Sequence, residues 1–226
     1  MSIGFRIRTR FQRVGTEWVE RGRVLPASNI GDCMNRFQCM GPEIRFFGKP
    51  GTALAGPALT VKSRPGDNLM LHKALDVAAP GDVIVCDAGA DMRQSIMGEI
   101  MARWAMVKGI GGIVIDGPIR DAEAIRQLDI PIYARGVTPG GPYKDGPGEI
   151  GYEIACGGVV VQPGDLIVGD ADGIVVVPRE DAARIVPAAE AHNAKEEATM
   201  AAIAEGRWDR TWVDETLKGR GCIFED

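Results

Sequence analysis

The fold is decided by a stretch near the middle of the chain, residues 98–121, which reads GEIMARWAMVKGIGGIVIDGPIRD. Its first half places apolar residues at helical spacing, and Gly109 ends the predicted helix. Residues 112–116 then predict a buried strand, and a tight turn after it sets Arg120 beside Asp121. In open α/β sheets, ligands usually bind at this carboxyl end of a strand.

Helices and short apolar strands alternate on both sides of this stretch. Predicted helices begin at Ser28, at Asp67 or Asn68, near residue 96 and near Asp121, and predicted strands cover residues 56–63, 83–86, 112–116 and 130–134. Ser28-Asn29 is the expected cap of the first helix, which Gly41-Pro42 ends. The alternation indicates βαβ units, so we predict an α/β fold with an at least partly parallel sheet.

The pattern changes in the last third of the chain. For residues 138–148, which are rich in glycine and proline, we favour a flexible connector over an anion-binding cradle. Short β-rich runs follow at residues 158–161, 165–168 and 173–177, with hairpin-type turns predicted at Pro163-Gly164 and at residues 170–173. A long helix is predicted over residues 180–205.

These patterns divide the chain into three parts. Residues 1–25 are an N-terminal arm, in which residues 5–11 alternate like a strand or form a loose segment, and residues 26–179 are an α/β core. Residues 180–226 are a C-terminal helix and tail, which we expect to pack on a neighbouring subunit.

Composition argues against several functional classes. The net charge of -5 disfavours a general nucleic-acid surface, although a small anionic substrate needs only a local positive site. No apolar run approaches a membrane span, and residues 1–13 lack the apolar segment of a secretory signal. We therefore expect a cytoplasmic protein that binds neither nucleic acid nor membrane.

Cysteine and histidine usage argues against a thiol enzyme or a zinc site. The five cysteines form no C-x-x-C pair, and we expect them to be buried, reduced thiols. The two histidines, His72 and His192, lie in helical patterns, so we expect surface or packing roles for them. A zinc site built from nitrogen and sulfur ligands is therefore improbable.

The clearest chemistry in the sequence lies at the two ends of the central stretch. Asp121 offers a hard oxygen ligand for Mg²⁺ or Mn²⁺, and Arg120 offers a fork of donors for a carboxylate or an enolate oxygen. If a helix starts at Gly98, its free N–H groups can bind a substrate carboxylate, with Glu99 beside them as a base. The plainer alternatives are a surface ion pair, with Asp121 capping a helix, and a Glu99 that only favours the helix N-terminus.

Two other motifs are weaker. Residues 87–90, Asp-Ala-Gly-Ala, lack the full glycine fingerprint of a nucleotide or methyl-donor site, so we expect a loop lining the same pocket. Glu196 and Glu197 lie on the predicted C-terminal helix, where periodicity alone favours solvated charges.

Taken together, Gly98-Glu99, the strand over residues 112–117 and Arg120-Asp121 resemble the signature of the RraA-like superfamily. The resemblance covers roughly residues 25–206. It includes a Ser-Asp helix start at residues 28–32 and a late strand pair at residues 170–178. The superfamily holds class II pyruvate aldolases for 4-hydroxy-4-methyl-2-oxoglutarate and 4-carboxy-4-hydroxy-2-oxoadipate, and also the regulator of ribonuclease E activity A.

The resemblance implies a swivelling β/β/α sandwich, assembled as a homotrimer or homohexamer with active sites between subunits. It implies Asp121 as the ligand of Mg²⁺ or Mn²⁺ and Arg120 as the group that holds the pyruvyl or enolate oxygen. Backbone amides would bind the substrate carboxylate, from Gly98, Glu99, Ile100 and Met101. Glu99 would order a metal-bound water. Glu196 of a neighbouring subunit would complete the site, with Glu197 one step off.

The function implied is metal-dependent retro-aldol cleavage of a small anionic keto acid to pyruvate and a second keto acid, with oxaloacetate decarboxylation as a side activity. One alternative is a non-catalytic regulator that binds a ribonuclease or another protein. Another is a related metal-dependent lyase or hydratase that acts on a different keto or sugar acid.

Overall fold

The elements of the fold are taken from a computed structural model, which describes residues 3–225. The strands are β1 (Phe5–Ile7), β2 (Arg45–Phe46), β3 (Leu54–Ser63), β4 (Val83–Asp87), β5 (Gly112–Ile119), β6 (Ile132–Val137), β7 (Gly148–Ile150), β8 (Ile154–Cys156), β9 (Val159–Val161), β10 (Leu166–Asp170) and β11 (Gly173–Val177). The helices are α1 (Thr16–Gly22), α2 (Ala27–Asp32), α3 (Leu69–Val77), α4 (Glu99–Val107), α5 (Ala122–Ile125), α6 (Ala182–Ala204) and α7 (Thr211–Gly219). Described residues through Ala189 form one compact unit, and those from Glu190 onward form a second.

Four parallel strands form the centre of the first unit. They lie side by side in the order β3-β4-β5-β6, and the connections between them carry α3, α4 and α5. β7 and β2 flank them as antiparallel neighbours, and β1 runs parallel to β7. The predicted α/β fold with a partly parallel sheet is therefore confirmed.

β3 is long enough to belong to two sheets. Its carboxyl half, from Ala58, pairs with β4, while its first half, Leu54 to Pro57, pairs with β10. β10 in turn pairs with β11, and the small β8–β9 hairpin stands apart from this path. The turn predicted at residues 170–173 joins β10 to β11. Pro163-Gly164 is not a hairpin turn, because β9 pairs with β8 and β10 pairs with β3 and β11.

Apolar side chains on both faces of the central strands explain the layers. Ile84 of β4 and Ile113 of β5 belong to one apolar cluster, together with Leu71 of α3 and Ala105 of α4. Val85 and its neighbours on the opposite face join a second cluster with β8, β9, β10 and β11. Burying each valine, leucine or isoleucine side chain stabilises the fold by about 1.5–3 kcal/mol relative to an exposed one. The result is a layered sandwich, as the resemblance to the RraA-like superfamily implies.

The predictions for α2 and for the segments that form α1 and α7 need correction. α2 begins at Ala27 after Pro26, and neither Ser28 nor Asn29 caps it with a side chain. A distant residue supplies a partner instead, because Asp170 Oδ2 accepts a hydrogen bond from Ala27 N–H at 2.8 Å. The helix also stops well before Gly41, and α1 and α7 lie in segments for which the sequence predicted no helix.

The N-terminal arm begins with the short strand β1, and ion pairs from the arm hold it against the core. Arg6 donates to Glu149 at 2.6 Å, and its guanidinium stacks on the Tyr152 ring. Arg13 makes two hydrogen bonds to the buried carboxylate of Asp82, at 2.7 and 2.8 Å. The strand alternative is therefore confirmed for Phe5–Ile7. Among residues 3–225, no helix has the length and apolar character needed to cross a membrane.

The five cysteines differ in burial, and Cys33 is intermediate. Cys86 and Cys156 are buried free thiols, and burial raises the pKa of Cys86 to about 12, so that it stays protonated. Cys39 and Cys222 are exposed, which corrects the expectation that all five are buried. Cys39 lies next to β11 and Cys222 in the tail, where the apolar layers do not cover them.

Candidate active site

The candidate site forms where the segment before α4 runs beside the end of β5. Ile96 N–H donates to the Pro118 carbonyl at 3.1 Å, and Arg120 N–H donates to the Met97 carbonyl at 2.9 Å. These two hydrogen bonds bring the start of α4, at Gly98 and Glu99, next to Arg120 and Asp121. They also explain why α4 begins at Glu99, whereas the periodicity predicts a start near residue 96.

Asp121 has an unusual backbone and an unusual partner. Its φ of 58° and ψ of 34° are left-handed, a conformation that costs most residues about 1–2 kcal/mol and that aspartate tolerates better than most. Although Asp121 precedes α5, its side chain does not cap that helix. Its Oδ2 instead accepts a hydrogen bond from Glu99 N–H, the first N–H of α4, at 3.1 Å, so Asp121 binds the start of α4 and not that of the helix it precedes.

Arg120 and Asp121 lie close together but do not form a tight ion pair. Arg120 Nε is 3.7 Å from Asp121 Oδ2, and each side chain is a little over 40% exposed (44% and 43%). Both side chains therefore remain accessible to a ligand, and the contact between them is looser than the surface ion pair of the plainer alternative.

Gly98 makes this close approach possible. A Cβ at residue 98 would lie 2.5 Å from Asp121 Oδ2 and 3.1 Å from both Cγ and Nε of Arg120. The glycine backbone itself is extended, with φ -143°, so the constraint is lack of space and not backbone strain.

Replacing Gly98 with alanine should therefore displace both functional side chains. We expect kcat/KM for the keto-acid cleavage that the sequence resemblance implies to fall by about 100-fold, since misplacing reacting groups by about 1 Å costs this much. Gly219→Ala is the matched control, because no atom lies within 4 Å of its added Cβ. Steady-state kinetics and thermal unfolding of both variants check this, and wild-type turnover in Gly98→Ala would contradict it.

These residues line a cavity of about 350 Å³, large enough for a small organic acid. The other walls come from α3, from the segment before α4 and from residues 138–148. The lining residues are Asn68, His72, Ser95, Met97, Gly98, Ile100, Met101, Arg120, Asp121, Gly141, Pro142 and Lys144.

Residues 138–148 form a hydrogen-bonded wall of this cavity. Asp67 Oδ2 accepts hydrogen bonds from Asp145 N–H at 2.7 Å and Gly146 N–H at 2.9 Å. Ser95 Oγ donates to the Gly140 carbonyl at 2.7 Å. The prediction of a flexible connector is therefore wrong, because a buried carboxylate and a buried hydroxyl on other segments hold this one in place.

Removing the Asp67 carboxylate should destabilise the fold at this wall. Asp67 is 1% exposed, and its Oδ1 also accepts a hydrogen bond from Leu69 N–H. Asp67→Ala leaves three N–H groups without this acceptor, so we expect a loss of about 3 kcal/mol in unfolding free energy. Asp145→Ala, which keeps the backbone bonds, is the control in urea unfolding. Equal stability of the two variants would refute the role given to Asp67.

Asn68 and His72 belong to the cavity, although the sequence predicted a helix cap and a surface or packing residue. Asn68 Nδ2 donates to the Ile96 carbonyl at 3.0 Å, which joins α3 to the segment before α4. Its Oδ1 is buried and accepts no hydrogen bond from residues 3–225. Burial and the charge of Lys144 lower the pKa of His72, while Asp76 has a weaker opposite effect. The sequence signal that could have grouped Asn68 with His72 is their spacing of four residues, which is one helical turn.

The Glu99 side chain does not line the cavity of about 350 Å³ but a separate, shallow depression. Its carboxylate accepts a hydrogen bond from Arg103 Nε at 2.7 Å. It lies in a shallow depression that also includes Asp121 and Glu123. Asp121 therefore borders both spaces, with Glu99 lining only the shallow one.

The chemistry of the site suits a hydrated hard cation better than a caged one. Among residues 3–225, no three His, Cys, Asp or Glu side chains are grouped as a metal cage. Asp121 alone offers a carboxylate to the cavity, which fits Mg²⁺ or Mn²⁺ because these ions often take one or two protein carboxylates and several waters.

The remaining predicted residues lie elsewhere. Glu196 is on α6 in the second unit, where its carboxylate lies 3.4 Å from His192 Nε2, and Glu197 accepts a hydrogen bond from Asn193. Residues 87–90 do not line the cavity, which corrects that expectation. They turn locally instead, since Asp87 Oδ1 accepts a hydrogen bond from Gly89 N–H at 2.9 Å.

Comparison with known proteins shows which family this chain resembles. Residues 27–176 match the family model described as RraA-like: Aldolase/RraA. A protein of Halalkalibacterium halodurans named "Putative 4-hydroxy-4-methyl-2-oxoglutarate aldolase" is 39% identical over 189 residues, which cover 84% of this chain and 90% of that protein.

Solved structures agree in fold. A Streptomyces coelicolor protein, titled an unusual member of the RNase ES inhibitor RraA protein family, has a TM-score of 0.76 and 31% identity. The match covers 84% of this chain and 99% of that one. An uncharacterized protein of Pseudomonas syringae pv. tomato has a TM-score of 0.77 and 28% identity, covering 87% of this chain and 96% of its own. The match over residues 27–176 and the identity to the Halalkalibacterium protein show that this chain belongs to the RraA-like family.

Proposed function

We propose that this chain is a divalent-metal-dependent aldolase that cleaves a 4-hydroxy-2-oxo di- or tricarboxylic acid to pyruvate and a second keto acid. The observation that carries the proposal is the meeting of Arg120, Asp121 and the start of α4 at one cavity. The name of the Halalkalibacterium relative supports the same class of reaction.

The start of α4 is the proposed site for the carboxylate next to the keto group. The first N–H groups of a helix have no acceptor within the helix, and the helix dipole favours an anion there. Asp121 Oδ2 already takes Glu99 N–H, which leaves the N–H groups of Ile100 and Met101 directed toward the helix start. Both residues line the cavity, as does Gly98.

Arg120 is the proposed stabiliser of the reacting oxygen. Cleavage between C3 and C4 leaves an electron pair that is delocalised as the enolate of pyruvate, with negative charge on the former keto oxygen. A guanidinium held beside that oxygen stabilises the charge as it develops. Asp121 would hold Mg²⁺ or Mn²⁺, and the ion would supply further positive charge to stabilise the enolate.

The C4 hydroxyl must lose its proton as the bond breaks, and C3 of the enolate must then gain one to give pyruvate. We assign the first of these proton transfers to Glu99, because its carboxylate lines the same shallow depression as Asp121. Since the Glu99 carboxylate also accepts a hydrogen bond from Arg103, we propose that it acts through an ordered water. Glu196 of a neighbouring copy is the second acid in the proposal. Oxaloacetate should also lose carbon dioxide here, because its decarboxylation yields the same enolate.

A homotrimer or homohexamer is part of the proposal. Ile100, Trp104 and Val107 form an exposed apolar stripe on α4, with Ile100 81% and Val107 74% exposed. Ile100 also lines the cavity, so a neighbouring copy covering this stripe would reach the site. We expect this assembly to act in the cytoplasm, without nucleic-acid or membrane partners.

The proposed reaction is tested by its products. Incubated with Mg²⁺, the protein should convert 4-hydroxy-4-methyl-2-oxoglutarate into pyruvate alone, since both halves of this acid yield it, as followed by proton NMR. 4-Methyl-2-oxoglutarate is the matched control, because without the C4 hydroxyl it has no retro-aldol path. Loss of water from the hydroxy acid to give an unsaturated keto acid, with no pyruvate, would point to a hydratase instead.

A second candidate function is a regulator that binds a ribonuclease. The likeness to the Streptomyces structure favours it, because that protein's title names RNase ES inhibition. It requires the fold but not the chemistry of Arg120 and Asp121. Metal-independent co-elution with a ribonuclease of the E type, unchanged in Arg120→Ala and without turnover of any keto acid, would favour the regulator.

A further inference from the structure

The wall formed by α3 and residues 138–148 brings two basic side chains to the cavity. His72 of α3 and Lys144 both line it, whereas Arg120 comes from the end of β5. Lys144 forms no ion pair with a described residue, and its charge lowers the pKa of His72.

This pair is separate from the groups already assigned to the keto-acid end. In the proposed function, that end uses Arg120, Asp121 and the α4 N–H groups. Two additional nitrogen donors in a cavity of about 350 Å³ are suited to a second anionic group on the same small ligand.

The charge of His72 depends on its surroundings. The facing groups are Lys144, which with burial lowers its pKa, and Asp76 one turn along α3, which raises it less. Asp76 also pairs with Lys73 at 3.5 Å. Because an unperturbed histidine has a pKa of about 6.5, His72 is neutral at pH 7 and gains its charge only as the pH falls. An anion bound beside it favours the charged form.

We propose that His72 and Lys144 bind the carboxylate of the substrate that is remote from its keto group, and that His72 makes this recognition stronger as the pH falls. The proposal rests on the proposed function for what occupies the keto-acid end. It selects dicarboxylic and tricarboxylic keto acids over monocarboxylic ones of equal length.

Two ligands that differ only at the remote end test this by calorimetry in the presence of Mg²⁺. 2-Oxoglutarate has the second carboxylate, and 2-oxopentanoate has a methyl group in its place. We expect 2-oxoglutarate to bind about tenfold more tightly at pH 5.5, with a smaller preference at pH 8. The remote carboxyl of 2-oxoglutarate is mostly ionised at pH 5.5 and fully ionised at pH 8. Its partial protonation at pH 5.5 would weaken the binding of 2-oxoglutarate, so a gain in preference at the lower pH reports on the protein.

Variants assign the preference to its residues. Lys144→Gln should remove most of it at both pH values, whereas His72→Gln should keep the pH 8 preference and lose the gain at pH 5.5. Lys49→Gln, an exposed lysine that pairs with Asp129, is the control for a general loss of charge.

Three results would overturn the proposal: equal binding of the two acids by the wild type, no binding of either, or a low-pH gain that persists in His72→Gln. The proposed function fails separately, through absence of pyruvate formation from the hydroxy acids. A clear 2-oxoglutarate preference without such turnover would retain the recognition site and reject the aldolase.

Discussion

Replacing Arg120 with alanine should lower kcat/KM for 4-hydroxy-4-methyl-2-oxoglutarate by about 10³-fold, because the enolate oxygen loses its guanidinium. Oxaloacetate decarboxylation should fall in parallel, since both reactions pass through the pyruvate enolate. The protein should remain folded, because the Arg120 side chain is 44% exposed and makes no short ion pair. Coupled pyruvate assays on both substrates measure the two losses.

Arg120→Lys is the informative companion variant. It keeps the positive charge but loses the planar fork of donors, so its activity should lie between wild type and alanine. If alanine left either reaction intact, Arg120 would not stabilise a shared enolate. If only the aldol reaction fell, Arg120 would act on the C4 end of the substrate.

Replacing Asp121 with asparagine should abolish metal-dependent turnover, with a fall of at least about 10³-fold that excess Mg²⁺ does not restore. The carboxylate is the proposed metal ligand, and an amide is a much weaker one for this ion. Asparagine adopts the left-handed backbone of residue 121 readily, so the variant separates loss of charge from loss of fold. Alanine would confound the two, because it tolerates that conformation less well.

The control for Asp121→Asn is Glu123→Gln, which removes an acid from the same shallow depression. Its kinetics and its Mn²⁺ affinity, measured by electron paramagnetic resonance, should stay near wild type. Equal loss in both variants would mean that the general negative potential holds the ion. Unchanged Mn²⁺ affinity in Asp121→Asn would remove Asp121 from the metal site.

The sequence predicted the parallel sheet because its signals are local. The apolar runs at β4 and β5 and the glycine that ends α4 can each be recognised within a few residues. The start of α4 was misplaced because residues 96–98 pair with the end of β5, an arrangement that periodicity does not encode. The start of α2 is fixed from Asp170, far along the chain, and so gave no local cap signal.

The candidate site likewise combines residues that local sequence signals predict with residues that come from distant segments. Gly98, Arg120 and Asp121 were predicted to act together because one continuous stretch contains them, and the structure brings them to one cavity. Asn68 and Lys144 reach that cavity only through the packing of α3 and the hydrogen bonds of Asp67. No spacing in the sequence brings these distant segments together, so their side chains were missed.

The most direct test of the account is pyruvate release by the wild-type protein after chelation and after metal restoration. The substrates are 4-hydroxy-4-methyl-2-oxoglutarate, 4-carboxy-4-hydroxy-2-oxoadipate and oxaloacetate. The account predicts that turnover of at least one hydroxy acid, and of oxaloacetate, falls to background with chelator and returns with Mg²⁺ or Mn²⁺. Turnover that survives chelation, or a folded protein that cleaves none of the three with metal present, would contradict it.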